Sequence, residues 1–495
     1  MDVANKKTRI AILLTFSILS FVVFLAKCLF SLDPDLGWHL RLGEEILKRG
    51  VQFKDTFSYT MAGFPFVDHE WLSNVIVYLI YHTNPILLAI FFAIFPTAAL
   101  LIALPKKIKF VDVGVFLIAA SLLLSFSGER IQVFSWVLVA LLLSLFFNER
   151  LWQKFKLLVP LLVLIWANLH GGFAISIYLL AVFTFLRFIS KKLTPADVLV
   201  FLASILATLA NPYGIRLWGE IFAQIGDSSL RFEIIEWLPG IFFFDFSFLL
   251  LLAVTLALIY RYRKKLSVIE IGLYFALLAL VISSVRHLPF FIIVTAIIAP
   301  KVLGFLYEEV GKSHEQKKRF IKTGTIFALY ALAVFASKSL SIGFSTKTSE
   351  KNFYPAGAVK YFENHKINGE IFALYDWGGY LNWKFPQNHV FIDGRMPSWR
   401  WPDAPSKESK FAYGDYSKII ATNKNYQALL DKYNIEYVLW LPGDSRPMGF
   451  SGYSDGASFI SNNEFLFRTN LINHLRNAGW KKVYEDEVSV LYQKS

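Results

Sequence analysis

The residues best suited to chemistry follow the first apolar segment of the chain. Asp33 and Asp35 flank Pro34, and His39 comes one helical turn later. A second polar group precedes another apolar stretch and consists of Asp68, His69 and Glu70. Polar side chains at the end of a membrane-spanning segment are costly, so they indicate a functional site. Carboxylates and imidazoles are also the groups that most often move protons in catalysis.

Both groups have structural alternatives. Asp is a favoured helix N-cap, so Asp33 or Asp35 could begin a helix at Leu36. Residues 36–48 place an apolar stripe opposite charged side chains, which is typical of a helix lying at a membrane interface. Residues 68–70 resemble part of a metal site but lack the ligand spacing of a known one, so a divalent metal such as Mg²⁺ or Mn²⁺ stays open.

The composition is that of a membrane protein. Hydrophobic residues make up 55% of the 495 positions, and charged residues make up 18%, below the ~25% of soluble domains. The net charge of +13 comes from short basic runs between apolar segments, and no nucleic-acid-binding motif accompanies them. We therefore expect membrane lipids, and no nucleic acid, as partners. The single cysteine, Cys28, excludes a disulfide within the chain.

The apolar segments predict a bundle of about eleven membrane spans. They cover residues 10–30, 85–104, 111–127, 131–147, 157–170, 172–189, 197–210, 247–260, 268–284, 288–306 and 321–338. The first segment is long enough to span and lacks a cleavage site, so it is predicted to be a retained helix. Residues 71–82 would reverse the sidedness of every later loop if they spanned, and are predicted to form an amphipathic or re-entrant helix at the outer interface.

The basic clusters orient this bundle. Five of them fall on one side, at residues 106–109, 150–156, 191–192, 261–265 and 312–322. By the positive-inside rule this side and the N-terminus are cytoplasmic, and the region after residue 340 is extracytoplasmic in a multi-pass protein of the cell membrane. Arg286 and His287 then lie at the outer end of a span, against the rule, and suggest an anion partner. Arg130, beside Glu129, and His170, in a glycine turn, share that outer side.

The last part of the chain differs from the rest. Residues 341–495 are polar and predict a small α/β domain, with helices at 355–365, 416–433 and 463–478 and strands at 370–375, 389–392, 435–440 and 488–492. The first domain is then the membrane module, residues 1–340, which includes an external loop at 31–84. The fold class is mainly α, with a C-terminal extracytoplasmic α/β domain.

This layout resembles the GT-C superfamily of membrane glycosyltransferases, which have a large first external loop, an acidic residue soon after the first helix and often an outer C-terminal domain. The motif-level resemblance is concentrated in residues 33–72. It implies a sugar donor on a polyprenyl phosphate and an Asp of this loop as catalytic base. Asp35 matches that position, with Asp33 as competitor, although Leu36 replaces the Glu of the Asp-Glu pair in protein mannosyltransferases. Residues 375–381 are loosely similar to an acceptor-recognition signature of oligosaccharyltransferases, and are equally a glycine turn.

Such a transfer requires a base for the acceptor hydroxyl and cations for the phosphate. We expect Asp35 or Asp33 to be the base of an inverting reaction, and Arg286 and His287 to bind the phosphate, with Arg130 and His170 as further candidates. The other substrate-binding candidates are His39, His69 and Glu70. The acceptor could be a glycan, a lipid or a protein. The alternatives are a transporter or flippase for a lipid-linked or anionic solute, and a scaffold that binds cell-wall polymer.

Overall fold

The computed structural model describes residues 6–105, 108–227, 234–344, 350, 352–442 and 471–495. Two parts of the sequence-based predictions lie outside these residues. They are positions 106–107 of one basic cluster and positions 463–470 of the last predicted helix.

Most of the described residues are helical. The helices up to residue 207 are α1 (Lys6–Phe30), α2 (Leu36–Arg49), α3 (Trp71–Thr83), α4 (Pro85–Ala103), α5 (Phe110–Leu124), α6 (Val133–Phe146), α7 (Glu149–Phe155), α8 (Val159–Leu169), α9 (Phe173–Ile189) and α10 (Pro195–Ala207). The later ones are α11 (Arg216–Gly226), α12 (Phe246–Arg261), α13 (Val268–Ser283), α14 (Leu288–Val310), α15 (His314–Phe344), α16 (Ala356–His365), α17 (Gly378–Lys384), α18 (Ala412–Ile420), α19 (Tyr426–Lys432) and α20 (Leu471–Asn477). The strands are β1 (Glu370–Ala373), β2 (Ile435–Trp440), β3 (Lys481–Glu485) and β4 (Val490–Gln493).

The apolar helices coincide with the predicted spans. Within the described residues, five helical segments are long and apolar enough to cross a membrane, at 10–30, 85–103, 149–169, 285–310 and 314–342. The shorter apolar helices α5, α6, α9, α10, α12 and α13 occupy the other predicted spans. Residues 71–82, predicted to be helical without spanning, form α3.

The chain forms two compact units. One contains residues 1–29, 89–215 and 231–344, and we call it the helical unit. The other contains residues 30–88, 216–230 and 345–495. We call it the outer-loop unit, after the loop at 31–84 that is predicted to be external. The predicted domain division grouped loop 31–84 with the membrane helices, whereas in the structure this loop clusters with the C-terminal region.

A buried ionic network joins helices within the helical unit. Arg187, near the end of α9, donates from Nε to Asp197 Oδ2 at 2.9 Å and from Nη1 to Glu149 at 2.7 Å. Asp197 also accepts from the backbone N–H of Thr194, which caps α10, and from the indole of Trp152. Arg187, Glu149 and Asp197 each lie near the end of a helix, and each forms its ion pair within this network. A buried charge of this kind is stable only while its partners remain.

We expect Arg187→Met to destabilise the protein by about 1.5–3 kcal/mol. The buried carboxylate of Asp197 loses a charge-assisted hydrogen bond, while Lys156, 3.0 Å from Asp197 Oδ1, remains as its counterion. The matched control is Arg261→Met. Arg261 pairs with Glu309 at the surface, so its loss should cost less than about 1 kcal/mol. Thermal unfolding in detergent measures both, and equal melting temperatures for the two variants would contradict a stabilising role for the buried network.

The outer-loop unit contains a four-stranded sheet in the order β1-β2-β4-β3. β1 is parallel to β2, and β4 is antiparallel to both β2 and β3. The strand at 389–392 was wrongly predicted. Val390 instead forms isolated bridges to Ser58 and Ile371. β3 was missed because its edge position leaves it charged and partly exposed, without an apolar alternation.

Other elements of this unit follow the sequence closely, with one correction. The helix predicted at 416–433 is two helices, α18 and α19, because Thr422 adopts a left-handed backbone with φ +48°. Such a conformation ends an α-helix. In the first loop, α2 packs closely against α3. A Cβ at Gly43 would overlap the carbonyl of Asn74, so only glycine allows this approach.

Candidate active site

The two carboxylates of the first loop are arranged by the start of α2. The backbone N–H of Asp35 donates to Asp33 Oδ1 at 3.0 Å. Asp35 occupies the N-cap position, yet its side chain forms no capping hydrogen bond with the described residues of α2. Asp35 Oδ1 accepts instead from the indole N–H of Trp38 at 2.9 Å. Simple helix capping therefore does not account for the Asp35 carboxylate.

Two glycine-containing segments of the C-terminal region pack against the start of α2, and the second of them contacts this carboxylate. A Cβ at Gly37 would overlap the carbonyl of Gly379, and a Cβ at Gly379 would overlap the carbonyl of Pro34. A Cβ at Gly394 would overlap Asp35 Oδ1. Tyr375–Trp377 form one 3₁₀ turn that continues at Gly378 into α17, and residues 394–395 form a turn; we call these two segments the glycine turns. They form the surroundings of Asp35.

A third carboxylate comes from the same turn. Asp376 is half-buried, and its burial together with the negative charge of Asp33 raises the pKa of Asp376 to about 6. Tyr354 and Tyr375 lie within electrostatic reach of Asp35 and Asp376. Asp376 was not predicted to be a site residue, because only folding brings it to the first loop. The resulting acidic, tyrosine-lined centre suits proton acceptance and the binding of hydroxylated substrates.

An arginine holds the second glycine turn in place. Arg395 donates to both carboxylate oxygens of Asp393 and lies 3.0 Å from Asp55 Oδ1. Its guanidinium also lies over the rings of Phe57 and Phe66, at 4.7 and 5.2 Å. Asp55 belongs to the first loop, so this buried cluster connects the loop to the C-terminal region next to Gly394.

The second polar group forms a buried hydrogen-bonded chain. Asn74 Nδ2 donates to Asp68 Oδ2 at 2.8 Å, and His39 Nδ1 lies 2.6 Å from Asn74 Oδ1. Because that amide oxygen can only accept, His39 carries a proton on Nδ1. Glu70 lies 3.8 Å from His39 and 3.9 Å from His69. The structure thus brings together the predicted residues His39, His69 and Glu70 and adds Asn74, whose amide the sequence did not single out.

These residues do not form a complete metal centre. Across the described ranges, no three His, Cys, Asp or Glu side chains are placed to hold a metal ion. His39 and Asp68 are instead joined through the amide of Asn74.

Four predicted residues lie in the helical unit. Arg130 is paired with Glu236. Arg286 lies over the neighbouring Trp237 ring at 4.6 Å, and in the described part of the chain no carboxylate pairs with it. Glu236 thus pairs with Arg130, and the next residue, Trp237, contacts Arg286.

The two histidines of the helical unit differ in the hydrogen-bonding group that they present. His170 Nδ1 accepts from the Gly172 N–H at 3.0 Å, so the neutral ring carries its proton on Nε2 and can donate to an anion. Ser135 supports this tautomer, since its Oγ accepts from the Trp166 indole and lies 2.8 Å from His170 Nδ1. His287 Nδ1 donates to the carbonyl of Leu280 at 3.1 Å, so a neutral His287 presents an acceptor at Nε2. The N–H of a neutral ring is thus on Nε2 in His170 and on Nδ1 in His287.

Comparison with solved structures identifies the fold. No family profile and no curated protein sequence matches the chain. Archaeal oligosaccharyltransferase AglB from Archaeoglobus fulgidus, in complex with an inhibitory peptide and a dolichol-phosphate, aligns with a TM-score of 0.55 and 13% identity, over 91% of this chain and 72% of its own. ArnT from Cupriavidus metallidurans, bound to undecaprenyl phosphate, aligns with a TM-score of 0.53 and 10% identity, over 98% of both chains. The chain has the GT-C fold.

One of the similar solved structures contains a metal ion. An oligosaccharyltransferase from Archaeoglobus fulgidus in complex with Zn and sulfate aligns with a TM-score of 0.51 and 14% identity, over 86% of this chain and 68% of its own. At such identities the comparisons establish the fold. With the apolar helices described above, they confirm the predicted mainly helical, GT-C-like class with its small C-terminal sheet, and the chain is a multi-pass membrane protein.

The buried position of Asp68 predicts a pH-dependent stability. Desolvation raises the pKa of Asp68 to about 6, although the Glu70 N–H, Asn74 and the Arg395 charge act in the opposite direction. This pKa lies above the unfolded value, so the folded state binds more protons, and stability falls as pH rises from about 4 to about 6. Above pH 6 the full cost, at most about 3 kcal/mol, is present.

In Asp68→Asn this titration is absent. Its melting temperature relative to wild type should therefore increase between pH 4 and pH 6 and then level off. Asp403→Asn, the same change at an exposed site, is the control and should follow the wild-type curve. Parallel curves for Asp68→Asn and wild type would contradict a raised pKa at Asp68.

Proposed function

We propose that this protein is an integral membrane glycosyltransferase that moves a sugar from a polyprenyl-phosphate donor to an acceptor at the outer face of the membrane. The fold supports this assignment, because it is shared over nearly the full chain with ArnT bound to undecaprenyl phosphate. The observation that carries it is the environment of Asp35. Its carboxylate is not used for helix capping and lies among Asp33, Asp376 and two glycine turns.

The proposed reaction is a single displacement. The acceptor hydroxyl attacks the anomeric carbon, its proton passes to the Asp base, and the bond from the anomeric carbon to the phosphate oxygen breaks. The polyprenyl phosphate leaves with the electron pair, so the anomeric configuration inverts. The new glycosidic bond replaces the bond to phosphate, and the protein forms no covalent intermediate.

Asp35 is the proposed base, and Asp33 is the competing candidate. Asp33 Oδ1 already accepts the backbone N–H of Asp35, which is a local structural role. Asp35 Oδ1 accepts an indole N–H, and a charge-assisted hydrogen bond of this kind favours an ionised carboxylate, the form that a base requires. Asp376 adds a second negative charge near Asp33, and suits a role in holding the acceptor hydroxyl.

Arg286 and His170 are the proposed phosphate ligands. Arg286 is a guanidinium without a carboxylate partner among the described residues, held by Trp237. The neutral ring of His170 is a hydrogen-bond donor at Nε2. Arg130 is neutralised by Glu236, and His287 presents an acceptor when neutral, so both are weaker candidates for the same task. Sugar, carrier lipid and acceptor class, whether glycan, lipid or protein, are not specified by these contacts.

The orientation is proposed from the charges. Basic clusters at one side of the bundle support a cytoplasmic N-terminus and an extracytoplasmic C-terminal region in the cell membrane. His39, His69 and Glu70 would then line the outer face as substrate-binding residues.

Metal dependence is tested directly, by transfer assays with a panel of radiolabelled polyprenyl-phosphate sugars in the presence and absence of EDTA. Donor turnover by the purified protein supports the enzyme, and solute movement without turnover supports a transporter or flippase.

Asp35→Asn should lower the turnover number by about 10²- to 10⁴-fold, because the amide cannot take the acceptor proton. Asp33→Asn should have a smaller effect. The control is Asp403→Asn, an identical change at an exposed position, which should retain wild-type transfer. Wild-type rates in both the Asp35 and the Asp33 variants would show that this loop does not supply the base.

Arg286→Gln should raise the KM for the lipid-linked donor by about 10-fold or more, since a charge-assisted contact to phosphate is lost. The KM for the acceptor should change little. Arg261→Gln removes an exposed, carboxylate-paired guanidinium and serves as the control. Equal changes in the donor and acceptor constants would contradict a phosphate-binding role for Arg286.

A further inference from the structure

The indole ring of Trp38 is enclosed beside Asp35. Its Nε1–H donates to Asp35 Oδ1 at 2.9 Å, and the residue is only 6% exposed. A Cβ at Gly394 would come within 3.2 Å of Nε1, and a Cβ at Gly379 within 3.2 Å of Cδ1. Two turns of the C-terminal region therefore pack against the edge of the ring that carries the N–H.

The ring is also fixed from the first loop itself. Its centroid lies 3.5 Å from that of His39, with an angle of 40° between the rings. His39 in turn is hydrogen-bonded to Asn74 of α3. Trp38 is thus the point where the acidic centre, the second polar group and both glycine turns meet. Packing of this kind leaves an aromatic side chain a single rotamer.

We propose that Trp38 is the positioning residue for Asp35, and that the glycine turns at 378–379 and 394 act on the reaction through it. The proposal rests on the proposed function, with Asp35 as the base. Trp38 does not touch the substrate. Its N–H fixes the rotation of the carboxylate and stabilises the ionised form, so that the base is aligned and charged before the acceptor arrives.

The size of the effect follows from the type of hydrogen bond. A hydrogen bond to a charged group is strong enough to hold that group in one orientation, and misplacing a catalytic group by about 1 Å costs up to about 100-fold in rate. Loss of the donor disfavours the carboxylate, so a higher pH is needed to ionise the base. The acid limb of the pH–rate profile should therefore move upward by about one pH unit.

Two substitutions separate the N–H from the ring. Trp38→Phe keeps an aromatic ring and removes the donor. Trp38→Gln removes the ring and keeps an N–H donor three bonds from Cβ, as far as the indole nitrogen is. We expect Trp38→Phe to lower the turnover number by about 10- to 100-fold and to shift the acid limb, whereas Trp38→Gln should keep the wild-type acid limb. Trp480→Phe, a buried tryptophan elsewhere in the outer-loop unit, is the matched control.

A double-mutant cycle with Asp35→Asn tests whether Trp38 acts through Asp35. Adding Trp38→Phe to Asp35→Asn should cause no further loss of transfer, because the group that it positions is already gone. Additive losses, or an unshifted acid limb in Trp38→Phe, would overturn the positioning role while leaving the glycosyltransferase assignment intact. Absence of transfer by the wild-type protein with every donor would overturn both. If Trp38→Phe does not fold, a shifted acid limb in Trp38→Gln overturns the proposal.

Discussion

The close approach of two backbones, at Gly37 and Gly379, is the constraint on which the candidate site depends. A single methyl group at either position would separate α2 from the first turn of α17. With that distance set, Asp35 meets Gly394, and Trp38 fits between the glycine turns. The position of the acidic centre is therefore set by the contact between the two backbones. The side chains add charge and hydrogen bonds to it.

A buried ionic cluster also holds the first loop against the C-terminal region. Arg395 satisfies Asp393 and Asp55 together, so one guanidinium links the C-terminal region to the first loop. Removing it would leave two buried carboxylates without a counterion, which costs far more than the net gain from forming such a cluster. The glycine contacts require that no side chain occupies the space between the two backbones, whereas the ion pairs require oppositely charged partners. Both kinds of contact hold the first loop in the same position.

Much of this was accessible from the sequence. The apolar helices could be predicted because burial in lipid leaves an unbroken apolar run, and Asp33 and Asp35 were conspicuous against it. Their use was not predictable, since capping by Asp35 and acceptance of the Trp38 N–H are both consistent with the local sequence. Asp376 and Arg395 were missed as site residues because only tertiary contacts bring them to the loop. The helix break at Thr422 left no signal, as threonine rarely adopts a left-handed backbone.

The separation in sequence between the parts of the outer-loop unit has a consequence for how the protein is made. Thr60 donates to the carbonyl of Phe391, a contact that spans 331 residues. At ordinary synthesis rates the first loop leaves the ribosome roughly tens of seconds before its partner turns exist. During that interval α2 and α3 have no glycine turn to pack against. Assembly of the acidic centre is thus a late folding event, and a nascent chain has no organised Asp35 until its final region has folded.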